Sequence, residues 1–314
     1  MNEKKDIRPT PQKDKQEQGQ RSITPPQGQK IVTPRRISQS KHTDEEHLFN
    51  IENCEIISKH KHGILGRLNV VQDKNTKQRY IAKTIKTNNN EDDKKQQLSS
   101  AILEINNLIQ FQHPTIVRFH GASLNDLKGR ENITILMDFM KNGSLADIIE
   151  KVQTDQLPQE FDNTNKQIIL VGISRAMMLL HSQKLINGDL KPENVLIDDD
   201  YKPHLTDFCL LKIFESGLSK NPCCGTAAYM APEVITSDIL NEKTDVYSFG
   251  ILMFEVVTGT RAYSEQSNKG FISAANLLMK VTNGFRPIFS TEVKPTLKQM
   301  IEKCWSEDPN DRPT

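Results

Sequence analysis

Asn187-Gly188-Asp189-Leu190-Lys191-Pro192-Glu193-Asn194, followed by Thr206-Asp207-Phe208-Cys209 and then by Ala231-Pro232-Glu233, is the most specific stretch of this 314-residue chain. Upstream of it, Tyr80-Ile81-Ala82-Lys83 closes a series of short β-like runs. Residues 51–58, 67–72 and 78–84 alternate or are rich in β-branched side chains, with Gly63, Gly66, Asp73 and Asn75 between them, as an antiparallel meander requires. From Glu91 to Phe111, apolar residues at Leu98, Ala101, Ile102, Ile105, Leu108 and Ile109 recur at helical spacing. Val117 to His120 and Ile133 to Phe139 read as two further strands, and from Ser144 onward helical patterns dominate, notably over 166–181 and 245–258. The expected fold is α+β and bilobal. A small antiparallel β-rich N-lobe with one main helix takes about residues 48–138, and a larger, mainly helical C-lobe takes about residues 141–314.

Residues 1–47 are Gln, Lys, Pro, Ser and Thr with almost no aromatic or branched apolar residues, a composition too poor in apolar surface to offset the entropy of ordering. They read as a disordered basic tail. Thr10-Pro11, Thr24-Pro25, Thr33-Pro34 and Arg35-Arg36-Ile37-Ser38 resemble sites for upstream proline-directed and basophilic kinases, with a plain solvated linker as the alternative. The tail's Lys/Arg excess leaves contact with RNA or lipid head groups open, but a net charge of +1 argues against nucleic acid as a partner of the whole surface. Five cysteines without a paired framework, no charged-then-apolar leader after Met1 and no apolar run of about 18 residues point to a reduced cytoplasmic setting, or a nuclear one, with no membrane span.

In order and separation, the three quoted segments resemble the catalytic loop, metal-binding turn and activation-segment end of eukaryotic protein kinases, and the resemblance covers Glu52 to Thr314. It implies transfer of the γ-phosphoryl group of ATP to a hydroxyl of a protein substrate, with Mg²⁺ as companion ion. In that chemistry the protein mainly positions groups and neutralises charge spread over the transferred oxygens. The resemblance gives Asp189 the substrate hydroxyl and its proton, Lys191 the transferring phosphoryl group, and Asn194 and Asp207 the Mg²⁺ ions, since hard cations prefer oxygen ligands. It gives Lys83 the α and β phosphates, with Glu104 as ion-pair partner. Gly63 and Gly66 fall where the second and third glycines of the phosphate loop belong. Leu68, Ile81 and Leu196 would enclose the adenine, the hinge Asp138-Phe139-Met140 would offer backbone hydrogen bonds, and Met137 would be the gatekeeper. Lys191 resembles serine/threonine rather than tyrosine kinases. Together with Cys304-Trp305-Ser306-Glu307-Asp308-Pro309 and Asp311-Arg312-Pro313, it matches the tyrosine-kinase-like group of serine/threonine kinases.

The chain departs from that pattern at several positions. Lys61 stands at the first glycine position, and Leu68 and Ile81 are larger than the usual Val and Ala, which predicts a narrowed adenine slot and weaker ATP binding. Asn187-Gly188 replaces His-Arg, so a phosphate at Ser216, Ser219 or Thr226 lacks its usual arginine partner, and activity is expected to depend little on such phosphorylation. Asn187 is also expected to loosen a stack of Leu108, Phe119 and Phe208. Cys209 in place of glycine is expected to stiffen the metal-binding turn. Asp245 should accept backbone N–H bonds from the catalytic loop, and Glu233 should pair with Arg312 as a buried bridge. His60-Lys61-His62 reads as an exposed, unligated loop, and Cys223-Cys224 as two reduced thiols. The chain stops at Thr314, earlier than the last helix of such domains, consistent with a truncated C-terminal end. Two functions compete: a working kinase, and a pseudokinase scaffold that binds partners with little turnover.

Overall fold

The computed structural model describes residues 48–63, 66–85, 91–157, 161–207, 212–213, 226–264 and 272–314. The expected tail, residues 1–47, lies outside the described residues, as do Phe208, Cys209, Ser216, Ser219, Cys223 and Cys224.

A five-stranded antiparallel sheet begins the fold: β1 (Cys54–Gly63), β2 (Gly66–Asp73), β3 (Arg79–Thr84), β4 (Phe119–Ser123) and β5 (Thr134–Asp138), in the order β1-β2-β3-β5-β4. The β2–β3 turn is closed by Asp73, whose Oδ1 accepts from the N–H groups of Asn75 (2.8 Å) and Thr76 (2.7 Å), an Asx turn. Strand periodicity sorts the side chains. Val70, Ile81, Ile85, Ile135 and Met137 join the main core, whereas Val71, Ala82 and Leu136 fill a second cluster with Ile51 and Cys54. The alternation that sends Ile81 and Ile85 into the main core sends Lys83 to the same face. His60-Lys61-His62, expected in a loop, belongs instead to β1, with a register irregularity between Lys59 and His62.

Helix α1 (Glu91–Gln110) lies between β3 and β4 in sequence and presents Ala101, Glu104 and Leu108 as its buried row. Two apolar positions expected on that face are exposed instead, Leu98 at 43% and Ile102 at 48%. The helix meets the core along one narrow edge, and these residues sit on its outer flank.

The helical half contains α2 (Leu145–Gln153), α3 (Asn163–Ser182), α4 (Pro232–Ser237), α5 (Glu242–Thr258), α6 (Ala274–Val281) and α7 (Pro295–Cys304). Their starts follow the local chemistry. Ser144 and Asp147 form a reciprocal capping box on α2, and Asp162 and Asn241 cap α3 and α5 through their side-chain oxygens. Helix α5 is buried over most of its circumference, including Tyr247, Ile251, Leu252 and Phe254. Gly250 makes this possible on the α7 side, because a Cβ there would stand 2.8 Å from Cys304 Cβ and 3.2 Å from the Trp305 nitrogen. Two small hairpins, β6 (Leu185–Ile186) with β9 (Lys212–Ile213) and β7 (Val195–Ile197) with β8 (Pro203–Leu205), carry the loops of interest. Val117 N–H donates to Leu205 O and Leu205 N–H to Thr115 O, so the segment after α1 is stitched to β8. Among the described residues no helix is long and apolar enough to cross a membrane.

Candidate active site between the sheet and the helices

Lys83 sits on β3 opposite Leu68 of β2 and Ile135 of β5 and is almost fully buried. Its Nζ lies 2.8 and 3.0 Å from the two oxygens of Glu104 on α1 and 2.6 Å from Asp207 Oδ1 just after β8. Burial works against the ammonium, but the Glu104 and Asp207 carboxylates outweigh it and hold the group above the ordinary lysine range. Asp207 itself has φ 67°, a left-handed conformation that Asp tolerates better than most residues.

The second cluster forms around Asp189. Lys191 Nζ donates to Asp189 Oδ2 (2.5 Å) and to Thr226 Oγ1 (3.0 Å), and Asn194 Nδ2 donates to Asp189 Oδ2 (3.0 Å) and to its backbone oxygen (2.9 Å). The two clusters are joined by backbone. Thr206 N–H donates to Asn194 O at 3.0 Å, so the turn bearing Asp207 lies directly against the loop bearing Asn194. All six of Lys83, Glu104, Asp189, Lys191, Asn194 and Asp207 are therefore brought together by short links. The arrangement can neutralise a polyanion on the Lys83 side and take a hydroxyl proton on the Asp189 side.

The loop is held from below. Asp245, 1% exposed at the start of α5, accepts from Asn187 N–H (2.8 Å) and Gly188 N–H (2.9 Å), and His181 Nε2 is 2.9 Å from its Oδ2. Gly188 takes φ 75°, which an Arg there would adopt only at a cost of about 1 kcal/mol or more. Asn187 does more than vacate a histidine's place: its Oδ1 accepts Asp189 N–H at 3.1 Å, a local brace on the loop. The stack expected with Leu108 and Phe119 includes Phe208, which is outside the described residues. Further out, Arg312 is fully buried and doubly bonded to Glu233, Nη1–Oε1 2.6 Å and Nη2–Oε2 2.9 Å, as expected.

The residues expected around the adenine take these places. Gly63 and Gly66 face each other across β1–β2. Ile81 pairs with Val70 on one side and Met137 on the other, and is 9% exposed. Leu68 and Leu196 are partly buried against the main core, and Met140 is buried. At the hinge, Asp138 N–H donates to Arg118 O at 3.1 Å within the sheet, so a hydrogen bond from Asp138 to a ligand would fall to its carbonyl.

Sequence reading missed a network under Thr226. Tyr229 OH donates to Glu255 Oε2 (2.8 Å), Ala262 N–H to Glu255 Oε1 (2.7 Å), and Arg261 lies 3.7 Å from Glu255 while also pairing with Glu193 of the catalytic-loop segment. Burial drives the Glu255 carboxyl up to about 7 despite Arg261 and the two hydrogen-bond donors. No local signal marks these residues, which lie on four separate stretches. A cavity of about 20 Å³ lies between this network and the loop, lined in part by Gly188, Thr226, Tyr229, Thr244 and Ser248.

Known proteins resemble this chain over most of its length. A family model described as Protein kinase domain matches residues 59–314. A probable serine/threonine-protein kinase of Dictyostelium discoideum is 31% identical over 234 residues, covering 73% of this chain and 16% of that protein. A putative serine/threonine-protein kinase/receptor of Acanthamoeba polyphaga mimivirus is 34% identical over 215 residues, covering 67% and 12%. A protein kinase and PP2C-like domain-containing protein of Arabidopsis thaliana is 28% identical over 231 residues, covering 64% and 34%. The chain thus spans about a sixth or less of the length of the Dictyostelium and mimivirus relatives and about a third of the plant one.

Proposed function

This chain belongs to the protein kinase family, and from that membership we propose that it transfers the γ-phosphoryl group of ATP to Ser/Thr hydroxyls of protein substrates in intracellular signalling. The observation that supports this most directly is the pair of linked clusters. Lys83 lies between Glu104 and Asp207, and Asp189 lies between Lys191 and Asn194, with Thr206 and Asn194 joining the two by a backbone bond. In this reading Lys83 holds the α and β phosphates and Glu104 holds Lys83. Asp189 orients the substrate hydroxyl and receives its proton, and Lys191 neutralises charge on the phosphoryl group as it moves.

Mg²⁺ fits the donors present: one carboxylate, Asp207, and one amide oxygen, Asn194, are the sparse hard-oxygen set that this ion uses when phosphates and water complete its shell. The ion would supply charge neutralisation on the phosphate oxygens. Gly63, Gly66, Leu68, Ile81, Met137, Asp138, Met140 and Leu196 would form the nucleotide pocket, with Ile81 narrowing it. Lys191 supports Ser/Thr over Tyr as the acceptor and, together with Cys304–Pro309 and Asp311–Pro313, the tyrosine-kinase-like assignment. Residues 48–314 would be the catalytic domain, behind a tail at 1–47 open to upstream kinases, and the working compartment would be the cytoplasm.

The competing scaffold reading is weakened by the same observation, since binding without turnover needs neither Asp189 nor its two donors. The test is incorporation of labelled phosphate from ATP into a generic protein substrate, with Asp207→Ala alongside. The intact chain should label Ser and Thr, and the variant should fall by at least about a hundredfold. Equal incorporation by the two proteins would eliminate the enzymatic reading.

A further inference from the structure

The family match begins at residue 59, yet residues from Leu48 onward, up to eleven positions earlier, already join the sheet. Leu48 bridges Ala122 in parallel, and Phe49 N–H donates to Ala122 O at 2.8 Å, so this flank adds to β4, the edge strand of the sheet. A short 3-10 turn follows at Ile51–Asn53, with Asn50 Oδ1 accepting from Glu52 N–H at 3.0 Å. Lys74 of the β2–β3 turn fixes it by donating to Glu52 O (Nζ, 2.7 Å) and Asn53 O (N–H, 2.9 Å). Ile51 and Cys54, 2% and 6% exposed, complete the cluster on the sheet face opposite Lys83.

From this flank a line of contacts runs to the connection between the lobes. Phe49 meets Tyr80 edge-on at 6.0 Å, Tyr80 meets His120 edge-on at 4.9 Å, and His120 Nε2 is 2.5 Å from Asp138 Oδ1. The last link depends on a β-bulge. Phe119 pairs with Met137 and Gly121 with Leu136, so His120 is an extra residue opposite no partner, and a bulge re-aims the side chain it carries. Asp138 is the final residue of β5, immediately before Phe139 and Met140 carry the chain to the helical half. The imidazole is 22% and the carboxylate 33% exposed, so the bond is partly shielded from solvent and its geometry is fixed by the rings behind it.

We infer that residues 48–53, acting through Tyr80 and His120, form a positioning device that holds the interlobe connection at Asp138, so that nucleotide affinity depends on a flank that precedes the residues matched by the family model. Asp138 itself touches the nucleotide in the function proposed above, and this inference rests on that reading for its effect on ATP. The mechanical coupling does not.

The experiment uses the full chain with Phe49→Ala, His120→Leu and His120→Gln, the last retaining an N–H donor. Hydrogen–deuterium exchange of the backbone amides at 138–143 is measured without nucleotide, and KM for ATP and kcat are measured with it. Phe49→Ala and His120→Leu should speed exchange in that segment about fivefold while the rest of the sheet stays protected. Both should raise KM for ATP about three- to tenfold with kcat within about twofold, and His120→Gln should recover most of the loss. Unchanged exchange at 138–143, or a loss of protection spread evenly over the sheet, would overturn the inference. Faster exchange in the variants together with a wild-type chain that binds no ATP would support the coupling and overturn the nucleotide reading instead.

Discussion

Replacing Asp245 by Asn keeps the shape of the side chain and removes one acceptor oxygen from a buried point where three donors meet. Oδ1 takes Gly188 N–H at 2.9 Å, while Oδ2 takes Asn187 N–H at 2.8 Å and lies 2.9 Å from His181 Nε2. An asparagine offers an NH₂ group in place of one of these oxygens, so either Gly188 N–H or the Asn187 and His181 pair faces a donor. An unpaired buried donor costs about 1–3 kcal/mol, and hydrogen bonds to a charged acceptor lie at the upper end. One or two lost partners therefore give roughly 2–4 kcal/mol, against a total of about 5–15 kcal/mol for a typical domain, so the variant stays folded at 25 °C. Asp189 is two residues from Asn187 and is tied to it by the 3.1 Å bond from Asp189 N–H to Asn187 Oδ1. A loop displaced by a fraction of an ångström moves the carboxylate off its hydroxyl, and turnover should fall about 10- to 100-fold. KM for ATP should change little, because Lys83 and the β5 connection do not touch Asp245. Urea unfolding followed through Trp305, the single tryptophan and 6% exposed, reads the stability, and steady-state phosphorylation reads kcat. A stability loss below about 0.5 kcal/mol with turnover inside twofold would refute the reasoning.

Two further outcomes follow from buried groups. Burial raises the Glu255 carboxyl to about 7 from 4.5, so the native state keeps a proton that the unfolded chain releases, and this group's contribution to stability declines as pH rises from about 4.5 to 7. Glu255→Gln should abolish up to about 3 kcal/mol of that decline, its amide N–H donating to the Tyr229 hydroxyl, so the variant gains Tm relative to wild type at pH 8 compared with pH 5; parallel Tm profiles would contradict it. Gly188→Arg places a side chain at φ 75° beside a cavity of only about 20 Å³, and should lower stability by about 1–2 kcal/mol in a denaturant titration, an unchanged midpoint counting against the strain argument.

Much of this molecule was legible because its chemistry is written in short spans. Asp189, Lys191 and Asn194 lie within one loop, and a carboxylate, a cation and an amide so close in sequence meet with almost no help from the rest of the fold. The same holds for strands read from alternation and for the sharp helix starts at Asp162 and Asn241, where side chain and backbone settle the matter locally. The helix after β3 is legible from its period, and Ala101 and Leu108 of the expected face are buried, but not every apolar position on that face turns inward. Leu98 and Ile102 are apolar and exposed while Glu104 is charged and buried, because the partner waiting at each position, not the residue's own polarity, decides which side turns inward.

What the sequence by itself determined, then, is the order of elements and the residue types gathered in the catalytic loop, since both depend on neighbours a few positions away. Tertiary structure alone decided contacts across long separations that no short span announces: Lys83 with Asp207 over 124 residues and Glu255 with Tyr229 over 26. It also decided that His120 faces Asp138. One extra residue in β4 shifts the pairing against β5, and in a strand a shift of one residue changes the face on which a side chain emerges, a choice fixed by register and not by composition.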